Sequence, residues 1–143
     1  MSGISLEVHI VPVSDPDRAK QFYQQLGWRF DDDAAPADGV RFIQFTPPGS
    51  ATSITFGSGI PASAPGALQG TLVVSDIVAA RAELASRGID AGAIFHGAPF
   101  PKEGRLDGPH PERASYASFV EFSDPDGNTW LVQEVTKRAP GRD

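Results

Sequence analysis

The sequence predicts an α+β protein in which one β-α-β-β-β unit is used twice. Two observations carry this. Val13-Ser14-Asp15 returns as Val74-Ser75-Asp76, 61 positions later, and the match continues with Ala19 on Ala80, Tyr23 on Leu84 and Gly27 on Gly88. The turn Phe45-Thr46-Pro47-Pro48-Gly49 also resembles Phe122-Ser123-Asp124-Pro125-Asp126, now at an offset of 77, so the second half carries 16 extra residues, which fit in a loop at 97–114. A strand, a capped helix, a terminating glycine and a turn that recur together mark a duplicated unit.

Each element has a local cause. Leu6 to Val13 is β-branched and apolar enough for a strand. Asp15 stands where a helix N-cap belongs and Pro16 at the first helical position. Ala19, Phe22, Tyr23 and Leu26 follow at helical spacing, and Gly27 supplies the left-handed stop. Trp28 to Phe30 begins a second strand, and Asp31-Asp32-Asp33 reads as a solvated acidic turn. Val40 to Thr46 alternates as a third strand, Pro47 to Ser50 is a turn, and Ser53 to Phe56 is a fourth strand. The second half predicts strands at 69–74, 89–96, 116–123 and 129–135, with a helix from Asp76 to about Arg87. The modules are expected at 4–57 and 68–136, joined by a Gly/Pro/Ala/Ser linker at 58–67 and followed by a tail at 137–143.

Composition narrows the function. The 143 residues suit one domain, and 40% hydrophobic residues with nine Phe can fill its core. No apolar run approaches the roughly 18 residues of a membrane span. The first residues lack the basic start and apolar block of a secretory signal, so a cytoplasmic protein is the simplest expectation. The absence of cysteine excludes disulfides, thiolate ligands and a Cys nucleophile. The net charge is −6 and the basic residues are dispersed, which argues against nucleic-acid binding. No Walker loop, dinucleotide fingerprint or nucleophile elbow is present. Asp124 and Asp126 flank Pro125 in a tight turn and lack the spacing of a calcium loop.

The run Val13-Ser14-Asp15-Pro16-Asp17-Arg18-Ala19, leading to Phe22-Tyr23 and Leu26-Gly27, resembles the vicinal oxygen chelate superfamily, as does Asp124-Pro125-Asp126-Gly127-Asn128 ahead of the last strand. That superfamily includes glyoxalase I, bleomycin resistance proteins and extradiol dioxygenases. The resemblance implies two modules forming a curved mixed sheet around a cleft, with the helices outside, and a homodimer. It also implies four metal ligands, one on the first and one on the last strand of each module. Counted from the two Asp caps and the Asp-Pro-Asp-Gly turn, three of those positions hold Val8, Gln69 and Leu131, and the repeat offset of 77 places the fourth at Ile54. Three alkyl side chains and one amide do not hold a divalent ion.

Strand alternation nominates the cleft lining that the resemblance implies. Val8 and Ile10, Phe42 with Gln44, Ile54, Gln69 with Thr71, Phe119 with Glu121, and Leu131 with Gln133 are expected there. By the same parity His9 and Glu134 face the helices. Glu121 is either a desolvated general base with a raised pKa or a carboxylate that points to solvent or pairs with an arginine such as Arg113. His96 and His110 are either lid residues or surface residues. These observations predict a small-molecule binding protein with no cofactor. The competing expectation is a metal-dependent lyase, isomerase or dioxygenase with its ligands relocated to His9, Glu121 and Glu134. A third is a dimeric regulatory partner.

Overall fold

Both helices begin where their caps predict. Asp15 is extended, and its carboxylate accepts from the N–H groups of Asp17 and Arg18, opening helix α1 (Pro16–Leu26). Gly27 closes it at φ 85°, a conformation that suits a residue without Cβ. Asp76 repeats the device for α2 (Ile77–Ser86), accepting from Val78 and Ala79. In the computed structural model, which describes residues 2–142, the chain divides into two units. One contains the chain up to Leu68 together with Asp124–Asn128. The other contains Gln69–Ser123 and the chain from Thr129 onward.

The first unit holds a mixed four-stranded sheet in the order β1-β4-β3-β2. Its strands are β1 (Val8–Ile10), β2 (Arg29–Ala37), β3 (Val40–Thr46) and β4 (Ser53–Ser58), with β1 parallel to β4. Ile43, Phe45 and Phe56 point to the α1 side, where all three are fully buried with Tyr23. The Tyr23 ring lies 6.1 Å from Phe45 and 5.5 Å from Phe56. Burying such side chains stabilises the unit by about 1.5–3 kcal/mol each.

The acidic run is not a solvated turn. Asp31, Asp32 and Asp33 lie within β2, which pairs with β3 through two register shifts. Asp31 meets Arg29 at 2.6 Å, and Asp33 meets Lys20 at 2.8 Å and Arg41 at 2.9 Å. With two of the three carboxylates ion-paired, the run remains in the ladder.

The second unit holds a mixed five-stranded sheet in the order β5-β9-β8-β6-β7. Its strands are β5 (Gln69–Val74), β6 (Phe95–Gly97), β7 (Arg105–Asp107), β8 (Ser118–Ser123) and β9 (Thr129–Glu134), with β5 parallel to β9. Val120, Phe122, Trp130 and Val132 share one face and are buried, as are Ile77 and Leu84 of α2, which packs against β8 and β9. The expected strand at 89–96 is cut to Phe95–Gly97, with a single bridge from Ala91 to Phe122. The segment at 97–114 is not all loop. After a 3-10 turn at Lys102–Gly104 it returns as β7, and β6 and β7 form an edge hairpin.

The Asp124-to-Asn128 turn is held by buried polar groups. Asp124 Oδ1 accepts from the N–H groups of Asp126 and Asn128, and its Oδ2 from the Tyr23 hydroxyl at 2.9 Å. The Asn128 amide donates to the Pro12 carbonyl and accepts from Leu68 N–H. Ser14 donates from both its N–H and its hydroxyl to the Asp126 carboxylate. The two sequence motifs that carry the resemblance are therefore bonded to each other inside the first unit.

Candidate functional site

Register assigns the side chains of each sheet to faces. In the second unit Thr71 pairs with Leu131, Leu131 with Glu121, Gln133 with Phe119, and Phe119 with Phe95. All therefore project to the face opposite α2, with Gln69 at the end of the β5 row. Phe95, Phe119 and Leu131 form a buried apolar cluster on that face. The Phe95 and Phe119 rings stack at 5.3 Å with an interplanar angle of 20°.

Arg105, from β7, completes this group. Its Nη1 meets Glu121 Oε1 at 2.5 Å, its Nε donates to the Pro99 carbonyl, and its guanidinium carbon lies 4.1 Å from the Phe95 ring centre. Both partners are mostly withdrawn from solvent, with side chains 16% and 20% exposed. Glu121 thus takes an arginine partner, and that partner is Arg105, not the Arg113 named from the sequence. Sequence reasoning missed Arg105 because its strand is three residues long and lies in a stretch rich in turn residues. The available signal was a pair of short runs flanking a Pro- and Gly-containing turn. Chemically, the face offers a stacked aromatic platform, an amide at Gln133 and one charge pair.

In the first unit, β1 pairs Val8 with Ser53 and Ile10 with Thr55, and Thr55 lies opposite Gln44. These residues, with Phe42, project to the face opposite α1. Ile54 does not. It pairs with Phe45 on the α1 side and is 4% exposed, so Thr55 occupies the position expected for Ile54. The cause is a turn of unequal length. Eleven positions separate the paired Gln44 and Thr55, and ten separate Glu121 and Leu131. Carrying an offset of 77 across that turn therefore lands one residue off, on the opposite face. On the same face as Thr55, Thr46 donates to Asp31 and shares a hydrogen bond with Ser53 at 2.7 Å. Burial works to raise the Asp31 pKa, but the bonds from Thr46 and Arg29 outweigh it and hold the group below its ordinary value.

The histidines and Glu134 are placed elsewhere. His9 pairs with Ile54, which assigns it to the α1 side of its sheet. Glu134 is 1% exposed, accepts from Ile77 N–H and is bonded to Arg113. The Arg113 contact holds its carboxyl below the ordinary range against the opposing effect of burial. His96 Nδ1 lies 2.8 Å from the Gly108 carbonyl, and His110 Nδ1 accepts from the N–H groups of Glu112 and Ala114. Both rings thus brace the 108–114 turns.

Among the described residues, no group of three or more His, Asp or Glu side chains is gathered to hold a metal ion. The positions implied for ligands carry Val8, Thr55 in place of Ile54, Gln69 and Leu131. An alkyl pair, one hydroxyl and one amide do not fit the divalent ion that the resemblance implies.

Comparison with known proteins agrees with this architecture. The sequence profile of the Glyoxalase/Bleomycin resistance protein/Dioxygenase superfamily matches residues 6–132. Among solved structures, the chain is similar to an antibiotic binding protein from Streptomyces sp. CB03234, with 30% identity, 94% of this chain and 98% of that chain covered, and a TM-score of 0.69. It is similar to a glyoxalase/bleomycin resistance protein from the same organism, with 31% identity, 91% and 100% covered, and a TM-score of 0.65. A superfamily member from Sphaerobacter thermophilus DSM 20745 shows 25% identity, 92% and 97% covered, and a TM-score of 0.63. No curated protein matches the chain.

Proposed function

The chain belongs to the glyoxalase/bleomycin resistance protein/dioxygenase superfamily, and from that premise we propose that it binds a small organic molecule without using a divalent metal. The ligand rests on the face of the second sheet opposite α2. The observation that carries this reading is the grouping of Phe95, Phe119 and Leu131 with the Arg105–Glu121 pair on that one face. Apolar surface with a few placed polar groups is what small-molecule sites use. The 30% identity to an antibiotic binding protein supports the same ligand class. In this reading the protein acts as a cytoplasmic homodimer. Light scattering that returns a mass near 15.2 kDa, and not twice that, removes the dimer.

Thermal-shift screening against a panel of antibiotics, bleomycin included, tests the ligand class. A true ligand at a hundred times its Kd raises the Tm by about 10 °C. That shift shrinks in Phe119→Ala and Glu121→Gln; if both variants keep it in full, the face is misassigned. Metal analysis of untagged, dialysed protein tests the other half. Stoichiometric zinc, nickel, manganese or iron would remove the metal-free reading.

A further inference from the structure

Arg105 carries an unanswered hydrogen-bond donor. Nη1 is taken by Glu121 and Nε by the Pro99 carbonyl, but Nη2 is shielded from solvent and has no partner among the described residues. A guanidinium cannot shed a proton to relieve this. A buried donor without an acceptor loses the hydration it had in water and gains nothing in return, so such atoms are rare in folded proteins and have a reason when they occur.

The surroundings indicate what an acceptor would be attached to. Arg105 lies against the Phe95 ring, which stacks on Phe119. It also lies 5.7 Å from the centre of the Phe100 ring, and Phe100 is 57% exposed. The guanidinium thus has a fixed aromatic neighbour in Phe95 and a solvent-exposed one in Phe100. A planar cation of this kind favours aromatic faces. Because Phe100 is mostly in water, a ligand ring displacing it sacrifices little burial. Charge then sets the functional group. Glu121 already neutralises Arg105, so a ligand carboxylate would bring a second negative charge beside one cation. A neutral carbonyl oxygen accepts from Nη2 without that repulsion.

We propose that Arg105 Nη2 is the specificity-determining donor for a neutral carbonyl oxygen on a planar aromatic ligand, which takes the place of Phe100 against the Arg105–Phe95–Phe119 stack. This rests on the proposed ligand-binding face and names what that face selects.

Three naphthalenes separate the parts of the idea. The ¹⁵N-labelled full chain is titrated with 2-acetylnaphthalene, 2-ethylnaphthalene and 2-naphthoate, following amide shifts around Phe95 and Phe119. The ketone should bind about tenfold or more tighter than the ethyl compound, the gain of a hydrogen bond from a charged donor. It should also bind tighter than the carboxylate. Arg105→Lys keeps the charge but lacks the forked second nitrogen, so the ketone and ethyl compounds should come within about twofold of each other. Glu121→Gln should raise the affinity for naphthoate relative to the ketone. If the ketone and ethyl compounds bind the wild-type chain equally, the donor role is overturned and the binding face stands. Shifts that map elsewhere, or no binding by any of the three, overturn both. The wild-type comparison needs no variant to fold.

Discussion

Asn128 shows how much one side chain can hold. It is fully buried, and its amide joins Pro12, Asp124 and Leu68, partners 116, 4 and 60 residues away. Replacing it with alanine strands the Leu68 N–H, worth about 1–3 kcal/mol when left unsatisfied, and removes a donor from Asp124 and from the Pro12 carbonyl, which still accepts from Gly66 N–H. Asn128→Ala should therefore lower the unfolding free energy by about 2–4 kcal/mol, measured by urea denaturation. Tyr23→Phe removes one donor from Asp124, which keeps its contacts with Asp126 N–H, Asn128 N–H and the Asn128 amide. Its cost should be smaller, about 1–2 kcal/mol. A reversed order would mean that Asn128 is not the centre of this turn. The sequence marked Asp124 to Asn128 as a turn, but nothing local told which of its five residues bonds to distant chain. Arg105 was hidden for the same reason, since Glu121 lies 16 residues away.

Elements governed by local chemistry were legible to the residue. The Asp15 and Asp76 caps and the strands Val40–Thr46 and Gln69–Val74 stand where propensity and alternation put them. Elements decided by pairing were not. The acidic run joined a strand because Arg29 in the same strand answers Asp31 while Lys20 and Arg41 from other elements answer Asp33, and Ile54 changed face because one turn is a residue longer than its counterpart. Gly70 offers a test at this scale. It lies in β5 opposite Trp130, and a Cβ there would come within 2.5 Å of the indole ring. Gly70→Ala should cost about 1–3 kcal/mol through overpacking on the α2 face. Thr71→Ala, at an exposed residue on the opposite face, should change stability by no more than about 0.5 kcal/mol. Thermal denaturation of the two variants decides it, and equal effects would contradict the assignment of faces.

The whole chain, acidic by composition, should be acid-sensitive for a reason that composition alone does not supply. In the first unit, Arg41 and then Lys20 hold the Asp33 carboxyl well below the ordinary range. In the second, Arg113 does the same for Glu134 against its burial, helped by Ile77 N–H. Unfolded, both carboxyls titrate near about 4. Between the unfolded and folded values the unfolded chain binds more protons, so stability rises with pH there. The contribution is complete above about pH 5 and is lost as pH falls through the depressed folded values. Asp33→Asn and Glu134→Gln lack these protons. Each should be less stable than wild type at pH 7, and the gap should begin to narrow below about pH 5 and go on narrowing as pH falls, followed by urea midpoints at each pH. A gap that widens on acidification would reverse the sign and refute the ion-pair account. Salt separates the two sites. The partly exposed Asp33 cluster should lose more of its contribution in 0.5 M NaCl than Glu134, whose carboxylate is withdrawn from solvent.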